Sequence, residues 1–243
     1  MRALVYGVPS EPTDAAPTGN PLLDGLARTP MALLELDEPP LPRADWVRIR
    51  PRLTGICGSD AKQVFMDWGS ATSRDLPTNP MIDFSSFPQI LGHEVVADVV
   101  EVGPAASGHA VGDRVVLNPW LSCAPRGISP LCPACEAGDL SLCWSFTEGD
   151  LAPGIHIGTS RDLPGGYATT MVAHDSMLFT VPDSIPDELA VFADPFAVSL
   201  HSVTRHAPQP GGKVIVYGAG ALGSCATAIL RALYPDVEVG VVA

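Results

Sequence analysis

The feature that most narrows the possible folds is the stretch 213–242. Lys213–Tyr217 is a continuous apolar run, Gly220–Leu233 is rich in helix formers, and Val237–Val242 is a second apolar run. Strand, helix, strand with short connections is a βαβ unit, the signature of a parallel sheet. The chain before residue 182 has a different character. Its apolar runs are short, alternate with polar residues, and are cut by turns. The 25 prolines and 23 glycines account for those interruptions. A mixed α+β and α/β chain is therefore expected, with a mostly β domain over 1–185 and the start of an α/β domain over 186–243. With 46% hydrophobic against 17% charged residues, the chain has the material for a packed core.

In the first part, Met1–Val8 reads as a strand and Pro9–Pro30 as an irregular loop. Trp46–Ile56 alternates apolar and polar residues, the period of a half-buried strand. Asp60–Trp68 reads as a short helix and Trp68–Pro88 as turns. Strands are predicted at Val95–Val102, Arg114–Leu117, Gly165–Ala173 and Met177–Val181, and helices at Pro186–Phe192 and Phe196–His206.

The net charge of −13 and the lack of any basic cluster argue against nucleic acid or an anionic membrane surface as partner. Met1–Gly7 lacks the length and cleavage site of a signal peptide. The uncharged segment between Lys213 and Arg231 is short for a membrane span and is broken by Gly218, Gly220 and Gly223. Six cysteines without an export signal point to a reducing, cytoplasmic setting, where clustered cysteines hold metal more often than disulfides.

Cys132-Pro-Ala-Cys135, seven further residues and then Cys143 form a metal-ligand spacing. Cys123, eight intervening residues before Cys132, would complete a four-thiolate site. The longer loop costs little, because closure entropy grows only logarithmically with length. Zinc in such a site is structural, since protein fills all four positions.

Gly55-Ile56-Cys57-Gly58-Ser59-Asp60, Gly92-His93-Glu94, Gly112-Asp113-Arg114-Val115, the cysteine lobe and Gly218-Ala219-Gly220-Ala221-Leu222-Gly223 follow in this order. The combination resembles the zinc-containing medium-chain dehydrogenase/reductase family, whose members join a GroES-like β-barrel catalytic domain to a Rossmann domain. The resemblance implies NAD(P)-linked oxidation of a small-molecule alcohol, polyol or hydroxy amino acid. It implies Cys57 and His93 as catalytic zinc ligands, Glu94 as a ligand or its supporter, and Asp194 as a further group near the metal, bound directly or through water. Asp194 also reads as a helix N-cap before Pro195. Asp60 would orient His93, and Ser59 would take the hydroxyl proton. A zinc ion with one open position acts as a Lewis acid on the alcohol.

Two departures stand out. Lys62 stands where the family often has the histidine that ends the proton relay, and Ala97 replaces a frequent glycine. The Gly218, Gly220, Ala221, Leu222, Gly223 segment follows a strand and opens a helix, as a dinucleotide-binding turn requires. Glu238 has roughly the spacing of a ribose-binding carboxylate but lies at the wrong end of its strand. The expected residue falls past Ala243, which leaves NAD and NADP as equal expectations. The family's sheet has about six strands, of which two are legible, so the chain reads as a C-terminally truncated dehydrogenase. The resulting open edge makes a homo-oligomer plausible. The alternative expectation is a non-catalytic zinc-binding remnant or interaction module of the same fold.

Overall fold

The computed structural model describes residues 1–8, 16–27, 29–65 and 80–243. The chain divides into two compact units, Met1–Asp187 and Glu188–Ala243.

In the first unit, β1 (Arg2–Tyr6) and β2 (Met31–Glu35) form an antiparallel ribbon, with α1 (Pro21–Leu26) between them in sequence. Next come β3 (Trp46–Thr54), α2 (Gly58–Phe65), β4 (Val95–Val102), β5 (Arg114–Leu117), α3 (Pro133–Glu136), β6 (Met171–His174) and β7 (Leu178–Thr180). Five of these strands make an antiparallel sheet in the order β6-β3-β4-β5-β7. The ribbon extends this architecture, because β1 exchanges hydrogen bonds with Gln89 and donates one to the Tyr167 carbonyl. The result is a curled, barrel-like β unit.

Alternation sets the faces. In β3, Val47 and Ile49 are buried while Arg48 and Arg50 point away, and the buried set packs with Val99, Val115, Leu117 and Met171 around Trp46. Pro51 cannot donate to the ladder, and the β3–β4 register shifts between Pro51 and Leu53. A bulge is where a sheet tolerates proline. Beyond it, Thr54 pairs with Val95, so the end of β3 lies beside the start of β4. This register brings residues 55–60 next to residues 91–94. Gln63 of α2 donates to the buried Gln89 side chain (3.0 Å), which donates to the Thr159 carbonyl (3.1 Å) and so seats α2 on the sheet.

The second unit holds α5 (Ala193–Arg205), β8 (Lys213–Tyr217), α6 (Ala221–Leu233) and β9 (Glu238–Val242), preceded by one turn, α4 (Asp187–Ala190), at the boundary. β8 and β9 pair in parallel, Lys213 with Glu238 through Tyr217 with Val242. α5 and α6 pack together, and the Ser199 hydroxyl donates to the Pro195 and Leu222 carbonyls.

Several local expectations change. The described part of Pro9–Pro30 contains the helix α1 where a loop was expected, and β2 follows it with no strand anticipated there. In Gly165–Ala173 only Met171 onward is strand; residues 165–167 instead donate their backbone N–H groups to carbonyls of Ile90, Gly92 and Leu91. Those glycines permit it, since a Cβ on Gly165 would strike the carbonyls of residues 90–92. The short helix expected at Asp60–Trp68 starts at Gly58, and its end beyond Phe65 lies outside the described residues, as does most of Trp68–Pro88. α5 begins at Ala193 rather than Phe196, because proline is tolerated in a first turn whose N–H groups have no helical partner. Among the described residues, no helix is long and apolar enough to cross a membrane.

Ile49 has no exposed surface. Ile49→Ala should lower unfolding stability by about 2–5 kcal/mol, read as a lower urea midpoint with an unchanged slope.

Candidate active site and metal centres

The β3–β4 register delivers Cys57 and the pair His93–Glu94 to one place. The Sγ of Cys57, a ring nitrogen of His93 and a carboxylate oxygen of Glu94 lie within 4.8 Å of one another. Gly55 makes room for this, because a Cβ there would collide with the Glu94 side chain. The Gly55 N–H also donates to the Glu94 carbonyl at 2.8 Å.

Behind the cluster stands Asp60, with 4% of its surface exposed. Its Oδ2 accepts from the Cys57 backbone N–H (3.0 Å) and the Tyr167 hydroxyl (2.9 Å). Its Oδ1 accepts from the Gly92 N–H (3.3 Å) and lies 3.3 Å from His93 Nδ1. Burial pushes the carboxyl pKa up, but His93, the Cys57 N–H and the Tyr167 hydroxyl outweigh it and leave the pKa below the usual carboxylate value. A carboxylate beside Nδ1 favours the tautomer that presents Nε2 as a ligand atom. Gly92 has φ +92°, and a Cβ on it would press into the Tyr167 ring at 2.8 Å. Burial, then Asp60, drive the Tyr167 phenol pKa upward, so it remains a donor.

His156 adjoins the cluster. Its ring centroid is 4.6 Å from that of His93, and its Nδ1 lies 2.8 Å from the Ile157 carbonyl. Burial and the neighbouring His93 lower its pKa to about 4, so near neutral pH it is an uncharged imidazole with Nδ1–H donating to that carbonyl. His156, Ser59, Asp60, Lys62 and Thr159 line a cavity of about 160 Å³. Sequence patterns single out neither Tyr167 nor His156. Neither stands in a recognisable motif, and only the fold carries it to the site.

The cysteine lobe is equally compact. The Sγ atoms of Cys123, Cys132, Cys135 and Cys143 lie within 4.8 Å of one another, and Cys123 and Cys143 are 3.6 Å apart. Tetrahedral zinc with Zn–S near 2.3 Å needs sulfurs about 3.8 Å apart, so the set fits such an ion. The single turn of α3, with Cys132 at its N-cap and Pro133 following, presents Cys132 and Cys135 together. Backbone N–H groups, that of Trp144 first, draw the Cys132 thiol down to about 6, whereas burial pushes Cys135 up to about 12 and raises Cys143. Four thiolates therefore need a cation among them. All six cysteines are free of disulfides.

In the second unit, Gly218 follows β8 with φ +104°, Gly220 caps α6, and Ala221, Leu222 and Gly223 form its first turn. Gly223 lies against the Gly218 carbonyl, where a Cβ has no room. Glu238 pairs with Lys213 at 2.8 Å. Both residues begin their strands, so Glu238 lies at the end of the sheet opposite the glycine turn. Asp194 also belongs to this unit, in the first turn of α5. Phe192 caps that helix, which corrects the N-cap reading of Asp194.

Residues 43–183 match the family described as "Alcohol dehydrogenase GroES-like domain". The chain is 33% identical over 183 residues to the L-threonine 3-dehydrogenase of Aeromonas salmonicida, covering 75% of this chain and 45% of that protein. A Sinorhizobium meliloti protein described as a "putative zinc-binding dehydrogenase", solved bound to NADP, superposes with a TM-score of 0.63 at 26% identity, over 86% of this chain and 52% of that one. Galactitol-1-phosphate dehydrogenase from Escherichia coli shares the fold, with a TM-score of 0.68 at 24% identity over 98% and 55%. The chain belongs to the zinc-type medium-chain dehydrogenase/reductase family, and it spans about half the length of the relatives it matches.

Tyr167→Phe tests the Asp60 network. The lost hydrogen bond to a carboxylate should cost about 1.5–3 kcal/mol near neutral pH. Asp60 has a depressed pKa in the folded state, so its stabilising contribution is present above its unfolded value near 4 and is lost as pH falls through the folded value. The difference between wild type and variant should therefore narrow below about pH 4, as read from urea titrations on both sides of that pH.

Proposed function

We propose that the chain is the catalytic unit, with the beginning of the cofactor unit, of a zinc- and NAD(P)-dependent dehydrogenase acting on a small alcohol, polyol or hydroxy amino acid. The observation that carries this reading is the convergence of Cys57, His93 and Glu94, with Asp60, which also lines a small cavity, behind His93. A metal there would supply Lewis acidity to the substrate hydroxyl. Cys57 and His93 are the proposed ligands, and Glu94 is a third donor that binds directly or supports them. Asp60 holds His93 in the ligating tautomer. Ser59, exposed and lining the cavity, takes the hydroxyl proton, and Lys62 lines the same wall in place of the family's frequent histidine. The four cysteines of the lobe hold a second, structural zinc. In the other unit, the Gly218–Gly223 turn and the N-terminus of α6 receive the pyrophosphate of NAD or NADP.

Relatives lend support to both parts. One is a threonine dehydrogenase, and another, described as a "putative zinc-binding dehydrogenase", was solved with NADP.

Elemental analysis of purified protein is the first test. Wild type should carry two zinc ions per chain and Cys57→Ala one. A single ion that Cys57→Ala leaves in place would reject the catalytic reading in favour of a zinc-binding structural module. Asp60→Asn should weaken the Cys57-dependent ion about 10–100-fold in chelator competition while the lobe ion stays bound.

A further inference from the structure

Among the described residues, Arg126 is the largest charged side chain with no exposed surface. Its guanidinium spends every donor on backbone carbonyls. Nε donates to Leu121 (2.9 Å), Nη1 to Glu148 (2.8 Å) and Leu151 (2.9 Å), and Nη2 to Ala152 (3.3 Å) and Gly154 (2.7 Å). Among the described residues it forms no ion pair with a carboxylate. A cation taken out of water without an anion is costly, and carbonyl dipoles offset only part of that cost.

The two chain arms that Arg126 joins have one thing in common. Leu121 lies two residues before Cys123, and the arm 148–154 begins five residues after Cys143. Those two cysteines have sulfurs 3.6 Å apart, although Cys123 lies outside the tight Cys132–Cys143 segment in sequence. The backbone of Arg126 repeats the link. Its N–H donates to the Cys123 carbonyl (3.1 Å), and its carbonyl accepts from the Asp150 N–H (3.0 Å). Arg43 holds the same loop from outside, donating to the carbonyls of Ala124 (2.9 Å) and Pro125 (3.1 Å) and to Asp150 (3.2 Å).

We propose that Arg126 is the positioning residue that brings Cys123 into the cysteine cluster as its fourth metal ligand and offsets the negative charge of the loaded site. Four thiolates around a divalent ion leave a net charge of −2, and Arg126 is the buried cation stapled between the arms that carry two of them. Its electrostatics agree: burial drags the guanidinium pKa down to about 10, and Cys143, Asp162 and Cys123 pull it back up. The inference rests on the reading of the lobe as a metal site.

Thiol alkylation of the zinc-loaded protein, mapped by mass spectrometry, provides the test, with half-exposed Cys225 as the reactive control. In wild type all four lobe cysteines should resist the reagent. In Arg126→Met, Cys123 alone should lose protection while Cys132, Cys135 and Cys143 keep theirs. The cobalt-substituted variant should show the thiolate-to-metal absorption of three sulfurs instead of four. A merely structural role would lower the melting temperature and leave Cys123 protected in the loaded protein. That outcome overturns the proposal. Should Arg126→Met fail to fold, Arg126→Gln, which keeps an amide donor for the carbonyl fan, is read in the same way. If the wild-type lobe carries no metal at all, the underlying reading of the lobe fails first.

Discussion

Asp60 is the contact on which the arrangement of the first unit converges. A carboxylate with almost no access to solvent persists only if its oxygens are fully engaged. Here the donors come from three separate segments: the Cys57 turn, the Gly92–His93 turn and Tyr167. The glycines at 55 and 92 are the other half of the same constraint, since each removes a Cβ that would hold these segments apart. The β3–β4 register and the Gln63–Gln89 bond serve to bring α2, and with it Asp60, to this junction.

The two thiolate-bearing clusters solve different physical problems. The lobe surrounds its centre with four sulfurs, leaves no donor position open, and sits among Phe146, Trp120 and Ile128. Cys57, His93 and Glu94 supply three donors, and Asp60 behind them lines a cavity. One arrangement suits an ion that only holds chain together, and the other an ion that meets a ligand.

Much of this was legible in the residues themselves, because periodicity and spacing are local properties. The alternation in Trp46–Thr54, the β-branched run at Val95–Val102, the Cys-x-x-Cys pair and the glycine turn between β8 and α6 each announce a structure within a few residues. Tyr167, His156 and Arg126 do not. Each acts through partners that the fold brings from distant positions, such as the 107 residues between Tyr167 and Asp60. α1 and β2 escaped for a related reason. Met31–Glu35 is a short edge strand defined by its pairing with β1, with no alternation of its own to betray it. Pro195 hid the start of α5, because a proline that usually marks a helix boundary lies within its first turn.

The spans of chain closed by the two clusters differ several-fold. The lobe sulfurs lie within a 20-residue span, a loop short enough to close early and with little entropic penalty. The Asp60 junction requires segments more than 100 residues apart to have found their register, which places it among the late contacts of a slow, non-local topology. A chain emerging during synthesis can thus form one centre while the other is still absent. Integrity of the Cys57–His93–Glu94 centre then reports completion of the whole β unit, whereas the lobe reports only on itself.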